Sequence, residues 1–213
     1  MAARVSESIV LRTYPLREAD LIVSFLTRDS GKLRGVARRA RKPGSSFGSG
    51  LERLSHVRLF YFASENLELA AVDSCELIGS RFGLASEYEL TVALDYLAEV
   101  SEQILPLHEP NEKFFRLLLA VTGYLLDAGL AGLWPAVNYF TLWSVRLAGI
   151  LPPIEIDDEE RAIAEEMLRT PLSSLAPRQW SRAILAGMRR QLCESIEEHV
   201  ERRLVTSHYL ETL

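Results

Sequence analysis

Residues 31–58 read GKLRGVARRARKPGSSFGSGLERLSHVR: an alternating strand, a basic run, a Gly/Ser-rich loop and the start of another strand. The stretch contains eight lysines and arginines and one acidic residue, Glu52, in a chain whose net charge is −5. So many uncompensated charges repel one another unless a partner neutralises them. The stretch predicts a polyanion-binding surface on two strands and their connecting loop, and a merely solubilising face is the alternative.

Short segments rich in β-branched and aromatic residues lie on both sides of this loop. They are residues 8–14, 21–27, 32–39, 57–63 and 67–78, with turn signals such as Asp29-Ser30-Gly31 and Ser64-Glu65-Asn66 between them. Five short strands with a long loop in the second half favour a small closed barrel over a sandwich. We therefore predict an OB-type β-barrel over residues 1–80.

After residue 81 the apolar period changes from two to about three and a half, which indicates helices. The predicted helices are residues 86–105, 111–128, 134–147, 157–169 and 178–200. The last one has a buried stripe from Trp180 to Val200, and Arg182, Arg189 and Arg190 lie off that stripe. The predicted fold class is α+β, with the five-stranded barrel followed by an all-α domain over residues 81–213.

Catalytic motifs are absent from the sequence. The four histidines are scattered, there is no HExxH or GxSxG, and the glycine-dense residues 44–50 lack the GK[ST] ending of a phosphate-binding loop. The consecutive acids at 157–160 fit a solvated helix start better than a metal site. We predict a protein that is not an enzyme and that has no cofactor.

Cys75 and Cys193 stand far apart, without a CxxC pair or a nearby histidine, which argues against a zinc site and a disulfide framework. A single long-range disulfide stays open. The N-terminal residues lack the apolar run of a secretory signal. Residues 133–151 are apolar but interrupted by Pro135, Asn138 and Arg146, so they make a poor membrane span. These features predict a soluble, cytoplasmic protein with no membrane partner.

Charges and aromatic rings near the basic stretch are the materials with which barrels of this type bind nucleic acid. The candidate DNA-binding residues are Lys32, Arg34, Arg38, Arg39, Arg41, Lys42, Arg53 and Arg58. Phe47, Phe60 and Phe62 are candidate base-stacking residues, with a core or interface role for Phe60 and Phe62 as the alternative. Alternation along the fourth strand places Tyr61 on one face with Val57 and Leu59, and Phe60 and Phe62 on the other.

Several quoted pieces occur in an order that resembles the RecO family of bacterial DNA repair and recombination proteins. They are SIVLRTYPLREADLIV at residues 8–23, TRDSGKLRGVARRAR at 27–41, RLAGILP at 146–152 and ERRLVTSHYLETL at 201–213. The resemblance covers nearly the whole chain. It implies an N-terminal OB domain, a helical C-terminal domain and a nucleoid-associated cytoplasmic protein.

The same resemblance implies a recombination mediator that binds single- and double-stranded DNA without nucleotide hydrolysis. Such proteins anneal complementary strands coated with single-strand-binding protein and, with RecR, help load RecA onto gaps. The implied DNA contacts are Lys32, Arg34, Arg38, Arg39, Arg41 and Lys42. Many members carry a four-cysteine zinc module after the third helix, where this chain continues as PIEIDDEERAIAEEM, so no zinc is expected.

Two other functions remain open. The helical half is a candidate adaptor that docks a protein tail, such as the acidic, apolar C-terminus of single-strand-binding protein, on Arg182, Arg189 and Arg190. The barrel is also compatible with an OB-fold RNA-binding protein, which a comparison of RNA with DNA of equal length would distinguish.

Overall fold

The structure is a computed structural model that describes residues 2–63, 68–151, 158–175 and 181–213. The chain divides into two compact units. One unit consists of Met1–Gly83 with Leu105–Phe115, and the other consists of Leu84–Ile104 with Arg116–Leu213. The predicted domains at 1–80 and 81–213 stay a prediction, and the first unit takes in a segment that the sequence pattern assigned to the helical half.

The first unit is built on five strands, β1 (Ala2–Leu16), β2 (Asp20–Thr27), β3 (Gly31–Ala37), β4 (His56–Ala63) and β5 (Ala70–Gly79). They form a closed barrel in the order β1-β2-β3-β5-β4, in which β4 pairs back with β1 and only the β3–β5 pair is parallel. With the helices that follow, this confirms the predicted α+β class, and the strand order fits the OB type. The predicted turn at 64–66 lies outside the described residues.

Alternation along the strands sends one set of side chains into the barrel core. Val23 and Phe25 of β2 and Leu59 and Tyr61 of β4 are at most 2% exposed. The rings of Phe25 and Tyr61 meet edge to face at 5.6 Å between centroids. Burying side chains of this size stabilises a fold by roughly 1.5–3 kcal/mol each. The sequence separated Tyr61 from Phe60 and Phe62 and left open which face is inward; in the structure Tyr61 points inward, and Phe60 and Phe62 lie on the less buried face.

The segment Leu105–Phe115 lies along the part of β3 that β5 leaves unpaired. β5 pairs only with the last three residues of β3, from Gly35 to Ala37. Earlier on β3, Lys32 bridges to Leu107, and the His108 N–H donates to the Lys32 carbonyl at 2.9 Å. Supplying a neighbour to an exposed strand edge satisfies backbone groups that would otherwise face water. The segment therefore completes the sheet at this edge.

Contacts of Phe115 fasten the end of the same segment to the barrel. The Arg28 guanidinium lies 5.1 Å from the Phe115 ring centroid, and His56 meets the ring edge-on at 6.1 Å. Glu7 holds both partners, with carboxylate oxygens 2.5 Å from Arg28 and 2.7 Å from His56 Nε2. Burial lowers the pKa of His56, against the opposing effect of Glu7. These residues form one polar clamp around the aromatic ring.

A buried polar contact joins three helices of the second unit. The helices of the chain are α1 (Tyr88–Ile104), α2 (Glu112–Ala128), α3 (Leu133–Leu147), α4 (Asp158–Arg169), α5 (Arg182–Val200) and α6 (Val205–Glu211). The Tyr96 hydroxyl of α1 lies 2.8 Å from Thr141 Oγ1 of α3 and 3.2 Å from Cys193 Sγ of α5. Burial raises the pKa of Cys193 to about 11, so it is a thiol at neutral pH, and both cysteines are free.

The middle of the predicted buried stripe of the last helix is buried in the structure. Met188, Leu192 and Ile196 of α5 are fully buried, whereas Ile184 and Val200 are half-buried. Trp180, with which the predicted stripe begins, lies outside the described residues, as do positions 178 and 179 of the predicted helix.

The run Glu112–Leu147, which joins α2 and α3, is long and apolar enough by length and composition to cross a membrane. One such helix is weak support for a membrane span, because the core helices of soluble proteins meet the same criterion. Leu118 and Phe140 within this run are fully buried in the protein.

Glu99 of α1 holds the first turn of the C-terminal helix α6. Its carboxylate is 7% exposed and accepts the Val205 N–H at 3.1 Å and the Thr206 N–H at 2.8 Å, together with the Thr206 hydroxyl. A carboxylate at a helix N-terminus satisfies N–H groups that have no partner within the helix. The C-terminal helix α6 is therefore docked on α1.

We expect Glu99→Ala to lower the free energy of unfolding by about 2 kcal/mol, because three donors lose their buried acceptor. Urea unfolding followed by circular dichroism measures the change. Glu198→Ala, at an exposed position of α5, is the matched control and should stay within about 0.5 kcal/mol of the parent chain. Equal effects of the two substitutions would contradict a role for Glu99 in holding α6.

Candidate nucleic-acid interface

The basic run that follows β3 is fixed to the turn between β1 and β2. The Arg39 N–H donates to Asp20 Oδ1 at 2.8 Å, and the Arg41 N–H donates to the Ala19 carbonyl at 3.0 Å. Lys42 closes the turn by donating its N–H to the Arg39 carbonyl at 3.0 Å. Arg39 itself has a left-handed backbone with φ 56°. The backbone of this run therefore has a defined conformation from which the side chains project.

Five exposed cations collect at this pair of turns. We call them the basic cluster: Arg17, Arg38, Arg39, Arg41 and Lys42. Within the part of the chain that the structure describes, none of their side chains forms an ion pair. The acids of the β1–β2 turn are Glu18 and Asp20, and the Asp20 carboxylate is engaged by the Arg39 backbone. The cluster retains a net positive charge that favours an anionic ligand.

Arg17 was not among the residues proposed from the sequence. It comes from the YPLREAD turn, where it has φ 58°. Pairing of Leu16 with Asp20 and of Leu21 with Ala37 brings that turn beside the end of β3. The hairpin register was the signal that could have found Arg17, because charge counting alone treated the turn and the basic run as separate segments.

The other predicted DNA contacts differ from the cluster in their surroundings. Lys32 is 5% exposed beneath the segment that bridges to β3, so its prediction as a DNA contact is wrong in this structure. Arg34 and Arg53 are half-buried, and burial together with the nearby Arg12 lowers the pKa of Arg53. Arg58 is exposed but lies 2.9 Å from the Glu76 carboxylate. Only four of the eight predicted contacts thus belong to the basic cluster.

The candidate stacking residues also differ in their exposure to solvent. Phe47 is 4% exposed and belongs to the barrel core, and its carbonyl accepts Cys75 Sγ at 3.4 Å. It is not available to stack on a base, which corrects the prediction made from its place in a Gly/Ser loop. Phe60 is half-buried and Phe62 is 39% exposed, and both lie on the outward face of β4, so their role as stacking residues stays a prediction.

An apolar row runs across the outer face of the barrel at the level just below the basic cluster. Register places its members side by side, one on each strand: Tyr14, Ile22, Val36, Ala71 and Phe62. Ile22, Val36 and Tyr14 are half-buried, so part of each side chain meets solvent. A cationic cluster beside a partly exposed apolar row is the arrangement that single-strand-binding surfaces use.

Comparison with known proteins shows the family of this chain. A DNA repair protein RecO from Koribacter versatilis is 40% identical over 242 aligned positions, which cover 98% of this chain and 98% of the relative. The chain belongs to the RecO family. The family model described as "Recombination protein O N terminal" matches residues 1–81, which include all strands of the barrel and the whole basic cluster.

Other RecO proteins match parts of the chain. The DNA repair protein RecO of Bifidobacterium animalis subsp. lactis is 38% identical over 59% of this chain and 52% of its own length. That of Cutibacterium acnes is 32% identical over 70% of this chain and 61% of its own length. These matches associate the chain with RecO proteins from several bacteria.

The match to the Koribacter RecO also indicates residues that this chain lacks. An alignment of 242 positions with a chain of 213 residues leaves positions of the relative without a counterpart. Positions 152–157, where the sequence predicts that the zinc module is missing, lie outside the described residues. Over the described residues there is no group of three or more His, Cys, Asp or Glu side chains that could hold a metal ion.

The ion pair of Arg58 leads to a prediction about DNA affinity. An exposed pair contributes only about 0–1 kcal/mol, but it already occupies the guanidinium. We expect Arg58→Ala to change the affinity for a single-stranded oligonucleotide less than about twofold. Arg39→Ala should remove one counterion-releasing contact and lower the log–log salt slope by about 0.7. Fluorescence anisotropy at several salt concentrations measures both variants, and a larger loss with Arg58→Ala would contradict the assignment.

Proposed function

We propose that this RecO-family chain is a non-enzymatic DNA-binding protein of DNA repair, and that it binds and anneals single strands through its barrel. The observation that carries the proposal is the basic cluster, five exposed cations without an ion pair among the described residues, held on two connected turns. Membership of a family whose relatives are named DNA repair proteins supports it. Within this proposal the protein acts in the cytoplasm on the nucleoid.

The physical basis of annealing is charge neutralisation. Two complementary strands repel each other through their phosphates, and a protein that covers phosphates with arginines and lysines releases the counterions condensed there. Contacts to the phosphate backbone leave the base edges unread, so any sequence can pair. The same contacts accept duplex DNA as the product. We propose that the chain helps RecA loading together with RecR by presenting a strand in this state.

Annealing of two labelled complementary oligonucleotides, measured by energy transfer with and without single-strand-binding protein, tests the proposal. The full-length chain should accelerate duplex formation, and no nucleotide should be needed. A chain that binds the oligonucleotides but leaves the annealing rate unchanged would limit the function to binding. A chain that binds RNA more tightly than DNA of equal length would favour an RNA-binding function instead.

A second candidate function belongs to the helical unit, where an acidic protein tail would dock. Arg189 is 4% exposed, lies 4.8 Å from the Trp134 ring centroid and forms no ion pair within the described part of the chain. The sequence pattern placed Arg189 off the buried stripe of the helix, yet its side chain is buried. Arg182 is exposed at 5.2 Å from the same ring, and Arg190 is exposed. Burial lowers the pKa of Arg189, and the charge of Glu211 offsets this only in part, so a further anionic group is favourable here.

A cavity of about 340 Å³ lies beside Arg189, and its lining includes Arg190, Arg203, Leu204 and the carboxylates Glu194, Glu197 and Glu211. Glu197 pairs with Arg203, so Arg189 and Arg190 would receive the acidic, apolar C-terminus of single-strand-binding protein. Calorimetry with that tail peptide should give saturable binding that Arg190→Glu weakens. No heat at high peptide concentration would end this candidate.

A further inference from the structure

The outer face of β1, β2 and β3 presents charge on both sides of the apolar row. Above the row lies the basic cluster, with Arg38 two residues beyond Val36, in the turn that directly follows β3. Below it, register aligns Arg12, Ser24 and Arg34 on the three strands. Successive outward positions on a strand are about 6.7 Å apart, because each residue rises 3.3–3.4 Å. That spacing is close to the step between neighbouring phosphates of an extended single strand.

Tyr14 is the aromatic residue of this face. Its ring is half-buried, and the Arg12 guanidinium lies 5.4 Å from the ring centroid. Burial lowers the pKa of Arg53, and the charge of Arg12 lowers it further. A guanidinium over an aromatic ring indicates a place where an anion and a flat apolar group would both be stabilised.

Phe62, at the other end of the apolar row, has weaker support although it is more exposed. Register surrounds it with Ala3 and Ala71, and the outward neighbour Val5 is 55% exposed. Arg58, the cation on this face of β4, is paired with Glu76. Tyr14 and Phe62 both lie two strands away from Val36, so their distance along the row favours neither as a stacking position. The neighbouring charges favour Tyr14, because Arg12 lies next to it and Arg17 follows three residues further along the chain.

We infer that Tyr14 and Arg12 form a base-stacking position for single-stranded DNA on the outer face of β1. This inference rests on the proposed function and adds a specificity-determining residue to it. A base stacks on the Tyr14 ring face that Arg12 covers, and the displaced guanidinium contacts the adjoining phosphate. Stacking requires an unpaired base, so this position favours single strands, whereas the basic cluster accepts single and double strands alike.

The test uses two ligands of equal length, oligothymidylate and an abasic oligonucleotide that has the backbone but no bases. Three variants are compared with the parent chain: Tyr14→Leu removes the ring and keeps apolar volume, Tyr14→Phe keeps the ring, and Phe62→Leu removes the competing ring on β4. Tyr14→Leu should weaken oligothymidylate binding about 5- to 100-fold and leave abasic binding unchanged. Tyr14→Phe should bind both ligands like the parent chain, and Phe62→Leu should weaken oligothymidylate binding less than Tyr14→Leu does.

Thermal unfolding of each variant establishes that the barrel is intact. If Tyr14→Leu is unfolded, Tyr14→Trp decides the question, because its added indole fluorescence should be quenched by oligothymidylate and not by the abasic ligand. Equal binding by Tyr14→Leu and the parent chain overturns the inference, as does a loss that is equal for both ligands. A loss with Phe62→Leu instead overturns it in favour of β4. Failure of the parent chain to bind either ligand is a different result, which overturns the proposed function.

Discussion

Replacing Arg38, Arg39 and Arg41 together by glutamate is expected to abolish binding of single-stranded DNA at moderate salt. The three positions supply most of the basic cluster, and reversal turns attraction to the phosphates into repulsion. Loss of three counterion-releasing contacts alone removes about 2 units of log–log salt slope. All three side chains are exposed and form no ion pair with the described residues, so the barrel should unfold at an unchanged temperature.

A matched control separates the local surface from the overall charge. Arg116, Arg146 and Arg202 are exposed residues of the helical unit, and their joint replacement by glutamate changes the net charge by the same amount. Gel-shift and anisotropy measurements should show normal DNA binding by this control. Normal DNA binding by the variant at Arg38, Arg39 and Arg41, or an equal loss in both variants, would show that the basic cluster is not the DNA-binding surface.

Gly31→Ala is expected to destabilise the first unit by more than about 3 kcal/mol, a value reached only by severe backbone or core changes. Gly31 has φ +76°, and an added Cβ would lie 2.1 Å from the Glu109 carbonyl oxygen. Neither backbone can move alone, because Lys32 and His108 are joined by a hydrogen bond at 2.9 Å next to this contact. The substitution therefore separates residues 105–115 from β3, and the free energy of unfolding in urea measures the loss.

Gly44→Ala is the control for the backbone term by itself. Gly44 has φ +73° but no heavy atom within 4 Å of an added Cβ. Gly44→Ala should lower the free energy of unfolding only by the cost of placing alanine in this backbone conformation, about 1 kcal/mol. Similar losses at the two glycines would show that the segment 105–115 does not depend on the close approach at Gly31.

The strands and most helices could be predicted from the sequence because their signals are local. Alternation on β4 separated Tyr61 from Phe60 and Phe62, and the helical apolar period placed the start of α1 within two residues of Tyr88. The N-terminal half of β1 was missed, since residues 2–7 become a strand only by pairing with β4. A strand that depends on a distant partner leaves little trace in its own composition.

The errors at the candidate site have a shared cause in long-range packing. Lys32 carries a charge that the sequence placed on a DNA surface, but a segment more than seventy positions away covers it. Phe47 stands among glycines and serines, and yet the loop folds its ring into the barrel core. Arg17 joins the basic cluster through strand register. Charge counting indicated a candidate region, which stays a prediction, and could not assign the individual side chains.

The most direct test of the account is the salt dependence of binding of a labelled single-stranded oligonucleotide to the full-length chain. Five phosphate contacts of about 0.7 each predict a log–log slope near −3.5. The Arg38, Arg39 and Arg41 charge-reversal variant should show no measurable binding in the same titration. A slope near zero, or binding by that variant with the slope of the parent chain, would contradict the assignment of the basic cluster as the DNA-binding surface.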